Sequence, residues 1–255
     1  MKALLSLLIA LGIASVASAQ ETTTVITVND PRPLSEAILK LEKVSNQPMT
    51  YEDAPMVYAG DLVDMSDVYR HNPGVKVLMP KSEPLSLTFT TTDIADRAGT
   101  AQVLGRLVTK FNREHPEGPQ FTILDRDGLF HVIPTSQRLA SGNVMPYTSP
   151  LDVPLTVVVK DVLAGVALKA ILDALEAKTG TKILVGISPF DTGLNVNERR
   201  KVSISTQTQT GRTLVTQLMQ GFSPWLSWDL LTGANVTGAP SSFFINIQQW
   251  VRRQQ

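Results

Sequence analysis

Two apolar periodicities run along this chain, and each returns once. Within residues 100–115, Val103, Leu104, Leu107, Val108 and Phe111 fall at the spacing of one buried helix stripe. The same pattern stands 111 positions later at Leu214, Val215, Leu218, Met219 and Phe222. Thr100 and Thr210 offer capping hydroxyls near the two starts, and Gly221 lies near the second end. Upstream, Leu34, Ala37, Ile38 and Leu41 predict another amphipathic helix, with Pro33 suited to its first position. Its Ala37-Ile38-Leu39 recurs as Ala170-Ile171-Leu172 inside a helix predicted over 164–179, which Gly180 ends in the left-handed region.

Strand patterns recur around these helices in the same order. β-branched stretches at 24–28 and 155–159 precede the first helix of each set, and short apolar runs at 49–52 and 182–187 follow it. Alternating Leu85, Leu87 and Phe89, and then Val202 and Ile204, precede the second helices. A Pro-led hairpin closes each set: 119–124 turns at Asp127-Gly128 into 129–133, and 224–231 turns through a Gly-containing loop into 243–249. Both halves therefore read β-α-β, β-α-β-β. The expected fold class is α+β, with two tandem βαββαβ(β) domains at 20–134 and 151–255, each packing two helices on a small mixed or antiparallel sheet. The breaker-rich stretch 135–150 is expected to be a linker. The first half carries an insertion, 53–83, whose apolar and aromatic content predicts an extra hairpin or a packed flap.

The first nineteen residues change the picture of where this architecture works. Lys2 is followed by a short apolar run and then Ala17-Ser18-Ala19, the pattern of a secretory signal cleaved after Ala19. The expected location is periplasmic or secreted. That apolar run is shorter than a membrane span, and 162–187, the most apolar later segment, carries Lys169, Asp173, Glu176 and Lys178. No membrane insertion after cleavage is expected. The 23 basic and 23 acidic side chains balance without a basic cluster, which argues against nucleic acid as a partner. With no cysteine, disulfides and thiolate metal sites are excluded.

The run Leu34-x-x-Ala37-Ile38-x-x-Leu41, a turn at Asn46-Gln47 and a short strand at 49–52 resembles the opening of the secretin and TonB N-terminal short domain. The second half, with Ala170-Ile171-x-x-Ala174-Leu175, Thr179-Gly180, a strand, Val202-Ser203-Ile204 and Leu214-x-x-Leu218, is similar to the remainder of that domain. The resemblance implies a small non-catalytic α/β unit that makes protein contacts in the bacterial envelope.

Constellations with chemical potential are sparse. His71, His115 and His131 have no metal-site spacing; His115 is expected to end a helix, and His131 to occupy an edge or surface position of a strand. Asp125-Arg126-Asp127-Gly128 is read as a hairpin turn, since a calcium loop needs further oxygen ligands. Gly221-Phe222-Ser223-Pro224-Trp225 lacks the second glycine of a serine-nucleophile elbow. No catalytic residue, metal or cofactor is therefore expected. The candidate binding residues are Tyr58, Asp61, Tyr69 and His71 in the insertion and Trp225 before the final hairpin. The leading expectation is an exported binding or assembly module that engages another envelope protein through an edge strand or the insertion. Its rival is a hydrolase or carbohydrate-active protein whose site under the insertion uses Asp61, Asp64, Asp67 and His71; a purely structural scaffold is a third reading.

Overall fold

The computed structural model describes residues 21–68, 77–186, 201–205, 208–223, 226–233 and 242–249. The order is β1 (Thr23–Asp30), α1 (Pro33–Ser45), β2 (Met49–Glu52), β3 (Leu62–Asp64), β4 (Leu78–Pro80), β5 (Glu83–Thr90), α2 (Arg97–Glu114), β6 (Phe121–Arg126), β7 (Leu129–Pro134), β8 (Ser136–Arg138) and β9 (Val144–Pro146). There follow β10 (Pro154–Leu155), β11 (Val158–Leu163), α3 (Ala164–Thr179), β12 (Ile183–Val185), β13 (Lys201–Ser205), β14 (Gln209–Thr210), α4 (Gly211–Phe222), β15 (Leu226–Thr232) and β16 (Phe243–Gln249). The fold is mixed α+β. Among the described residues no helix is long and apolar enough to cross a membrane.

Local chemistry explains where the helices begin and end. Pro33 opens α1, and Asn46, at φ 57°, closes it by donating its N–H to the Glu42 carbonyl. Gly180 closes α3 in the same way, at φ 67° and onto Glu176. Thr210 caps α4 by accepting the Thr213 N–H. The expected cap of α2 shifts one turn upstream. Asp96 accepts the Gly99 N–H, while Thr100 lies inside the helix and donates its hydroxyl to the Asp96 carbonyl.

Strand pairing in the two halves is alike. β1 pairs antiparallel with β5, and β11 with β13. β2 runs parallel to β7, which pairs antiparallel with β6; β12 runs parallel to β16, which pairs antiparallel with β15. These last six strands form one sheet in the order β12-β16-β15-β2-β7-β6, joined at the middle by a parallel ladder that sets Asp229 beside Tyr51 and Leu230 beside Glu52.

That register fixes where the cores lie, because paired neighbours share a face and successive residues alternate. Tyr51 packs with α1 and α2 in a core that includes Leu41, Leu104, Phe121, Phe130 and Val132. Leu230, one step from Asp229, packs with α3 and α4 among Ile171, Leu175, Leu214, Trp228 and Ile245. The two cores therefore sit on opposite faces of the shared sheet. A leucine at the centre of either, such as Leu41 or Leu175, would cost about 2–5 kcal/mol on truncation to alanine.

Segments between the repeated elements are also structured. The insertion holds the antiparallel pair β3–β4. The 135–150 stretch expected as a linker folds into the hairpin β8–β9, because Leu139 and Asn143 close a short turn between two segments that pair in register. The Asp127-Gly128 turn has positive φ at both residues, 54° and 77°, as a two-residue hairpin requires. His131 departs from expectation: it is fully buried, because β7 lies between β2 and β6 and both its faces are covered.

Candidate functional site

Of the five residues singled out from sequence, Tyr69, His71 and Trp225 lie outside the described residues. Tyr58 and Asp61 meet at Arg138 on β8. The guanidinium lies 4.0 Å above the Tyr58 ring, donates to Asp61 Oδ1 at 2.9 Å and reaches the Gly142 carbonyl at 3.1 Å. The insertion is thereby fastened to the β8–β9 hairpin. Asp64 turns elsewhere, accepting from the backbone and hydroxyl of Ser66. Asp67 is likewise exposed on the insertion, so of the acidic candidates only Asp61 reaches the adjoining cleft.

That cleft, about 360 Å³, opens between the start of α1, the end of β2, the end of α2 and the insertion. Its floor holds Asp53. Oδ2 accepts from Arg32 Nε at 2.7 Å and from the Thr232 N–H at 2.9 Å, while Oδ1 has no partner among the described residues. Burial pushes the neighbouring Tyr51 phenol up, and the Asp53 charge adds to this. His115, the C-cap of α2, contributes Nε2 at 2.6 Å from Glu83, and its Nδ1 reaches the Phe111 carbonyl. Prolines 31, 33, 55 and 80 supply apolar walls. The cleft is thus lined by paired charges and apolar surface, with Asp53 Oδ1 buried beneath it beside Tyr51. Among the described residues no three His, Asp or Glu side chains gather as metal ligands.

A larger arrangement, absent from the sequence reading, lies along the β15–β2 junction. Arg212 on α4 donates to both carboxylate oxygens of Glu52, at 2.7 and 3.1 Å, and also binds Asp152. Burial opposes the Arg212 charge, but Glu52 and Asp152 outweigh it, and its pKa is raised. Arg32 Nη2 donates to the Thr232 carbonyl at 2.6 Å, and the Asp53 N–H to the Leu230 carbonyl at 2.7 Å. On the opposite face Glu42 accepts the Met49 N–H at 3.0 Å. Burial pushes Glu42 up to about 7; burial, then the charges of Glu42 and Asp53, push Asp229 up to about 8. His131 completes the junction: Nε2 lies 3.2 Å from the Arg126 carbonyl, which can only accept, so Nε2 carries the proton and Nδ1 accepts from the Thr50 hydroxyl at 2.7 Å.

Among the described residues the sheet ends in two strands, β6 and β12, each paired on one side only. On β6 the turn fixes Arg126–Leu129 as a hydrogen-bonded pair, so Phe121, Ile123 and Asp125 aim their backbone groups outward. Asn112 satisfies Phe121 with both atoms of its amide. On β12, Phe243 donates to Lys182 and Gly186 donates to Ile245, which leaves Ile183 and Val185 outward. Leu184, Val185 and Phe244 expose 37%, 42% and 36% of their surface at this end. No known protein family, curated protein or solved structure matches this chain.

Proposed function

We propose that this chain is an exported, non-catalytic binding and assembly module of the cell envelope, built from two tandem βαββαβ(β) copies fused through one sheet. The observation that carries the reading is the open sheet, which ends at β6 and β12 in strand edges able to accept a further strand. The signal pattern ending at Ala19 and the resemblance to the secretin and TonB N-terminal short domain support an envelope setting, periplasmic or secreted, with another envelope protein as partner.

Capture from envelope extract tests it, using the mature chain, Ile123→Pro, Val185→Pro and a deletion of 54–82. Both prolines remove an outward N–H and leave the inner ladder intact. A partner retained by the parent and lost with an edge-blocked or deleted variant supports the module; identical capture by all four proteins overturns it. The cleft favours a second reading, a hydrolase or carbohydrate-active site under the insertion, because Asp53 and Asp61 line one cavity. A substrate screen in which Asp53→Asn and Asp61→Asn abolish turnover would support it.

A further inference from the structure

Superimposing the two halves by their caps and strand partners gives a firm equivalence. The left-handed caps Asn46 and Gly180 lie 134 positions apart, and so do Met49 and Ile183, which hold the same place beside Phe130 and Phe243. Glu42 thus corresponds to Glu176, Thr50 to Leu184, Tyr51 to Val185 and Glu52 to Gly186. At the other edge the ladder partners of Phe130 and Phe243, Asp125 and Thr232, correspond, which matches Phe121 with Trp228, Thr122 with Asp229, Ile123 with Leu230 and Leu124 with Leu231.

In these terms the junction between the halves joins unlike edges. The hairpin edge of the second half, β15, pairs in parallel with the inner strand of the first half, β2. The strands unpaired at the ends of the sheet are the other pair of the same two kinds, β6 and β12. Strand order is kept from one half to the next, while strand direction and helix-bearing face are both reversed. The halves are therefore related by a half-turn about the axis along which the strands are stacked, combined with a shift along it. Such an operation does not close on itself.

We propose that this chain adds head-to-tail to further copies of itself, β6 of one copy lying parallel to β12 of the next in the register of the β15–β2 junction. Thr122 then stands beside Val185 as Asp229 stands beside Tyr51, and Ile123 beside Gly186. The inference rests on the binding-module reading and names its partner.

The side chains at the two ends suit this occupant. The buried ion pair Arg212–Glu52 corresponds to Ala101 and Gly186, so both charges vanish together and neither would be stranded. Asp229, the acidic member on β15, corresponds to Thr122, so β6 brings a hydroxyl where β15 brings a carboxyl. Thr50 and His131, covered by the second half in the existing junction, correspond to Leu184 and Phe244, whose exposed surface would be covered by the next copy. Glu42 is buried near Ser227, whereas its counterpart Glu176 stands exposed beside a groove of about 480 Å³ between α3 and β12, which the next copy would cover.

The absence of cysteine makes the register testable by cross-linking. The mature chain carrying Thr122→Cys and Val185→Cys is oxidised, with Leu124→Cys and Val185→Cys as control. Paired strands stand about 5 Å apart, within disulfide reach, and two residues of slip add about 6.6 Å along the strand. Within one chain these positions lie five strand spacings apart, about 24 Å, so only bonds between chains can form. A non-reducing ladder of dimers, trimers and longer species is expected from the first pair, at least tenfold above the control and abolished by adding Ile123→Pro. Monomer alone, or equal cross-linking by the control, overturns the proposal. If the ladder is absent while edge-blocked variants still lose a partner from extract, the self-partner falls and the module stands. A ladder without any edge-dependent partner in extract supports self-assembly and removes the foreign partner.

Discussion

Arg212 and Glu52, 160 residues apart in sequence, form a two-pronged ion pair at 2.7 and 3.1 Å whose side chains are almost wholly buried. Removing one partner leaves the other charge in a site without water, which costs about 3–5 kcal/mol, whereas removing both costs far less. Arg212→Met is therefore expected to lower unfolding free energy by about 3–5 kcal/mol in urea. Arg212→Met with Glu52→Gln should recover more than half of that loss, because the amide still accepts from the Ser149 hydroxyl. Additive losses in the double variant would show that the pair acts through packing alone.

The opposite face of the same junction sets an alkaline limit. Glu42 is pushed up from 4.5 to about 7 and Asp229 from 3.8 to about 8, so the folded chain holds protons that the unfolded chain has released. Stability then falls as pH rises between about 4 and 8. A loss of about 2 kcal/mol or more is expected between pH 6.5 and 8.5. Asp229→Asn keeps an acceptor for Gln248 and removes the charge, so its melting temperature should change less over that interval than the parent's. Parallel pH profiles for the two proteins would contradict the assignment.

His131 produces the reverse slope at lower pH. Burial, then the Arg212 charge, depress it from 6.5 to about 4, so below pH 6.5 the unfolded chain takes up a proton that the folded chain refuses. Its contribution is present above pH 6.5 and is lost as pH falls toward 4. His131→Phe, which copies Phe244, should flatten that limb while costing about 1–3 kcal/mol at pH 7 through the stranded Thr50 hydroxyl. Adding Thr50→Val should return part of the loss without restoring the slope. The profile is read from urea unfolding at half-unit steps.

Much of the fold is legible in the sequence, and the part that is not has a physical reason. The repeated helix stripes, the caps at Pro33, Thr210 and Gly180 and the Asp127-Gly128 turn are local signals, and each appears where its chemistry predicts. The β15–β2 ladder has no local signal at all: its strands are far apart, and only its formation puts Glu52 opposite Arg212 and covers the second face of His131. For the cleft, Tyr58 and Asp61 were visible as polar and aromatic loop residues, but Arg138, which gathers them, sits in a stretch with the composition of a linker.

Arg138 gives the most local prediction. It spans β8, the insertion and the end of α2 through Tyr58, Asp61, Gly142 and Glu117, the last at 3.4 Å from an exposed carboxylate. None of these groups belongs to either buried core, so Arg138→Ala should lower global stability by only about 1 kcal/mol. Opening of the insertion, by contrast, has few other bonds to break: a backbone bridge joins Met56 to Arg138, and within the insertion β3–β4 is short and Lys81 donates to the Gly60 carbonyl at 2.6 Å. The populations of such local openings are set by their own free energy and not by that of the whole fold. Limited proteolysis in native buffer is therefore expected to cut Arg138→Ala within residues 56–68 about five times faster than the parent, with the urea midpoint nearly unmoved. Arg138→Lys keeps the charge but loses the planar stack on Tyr58 and the forked donation, so it should cut at an intermediate rate. Equal cutting rates for all three proteins would mean that the insertion is held by its own hairpin and that Tyr58 and Asp61 have no part in closing it.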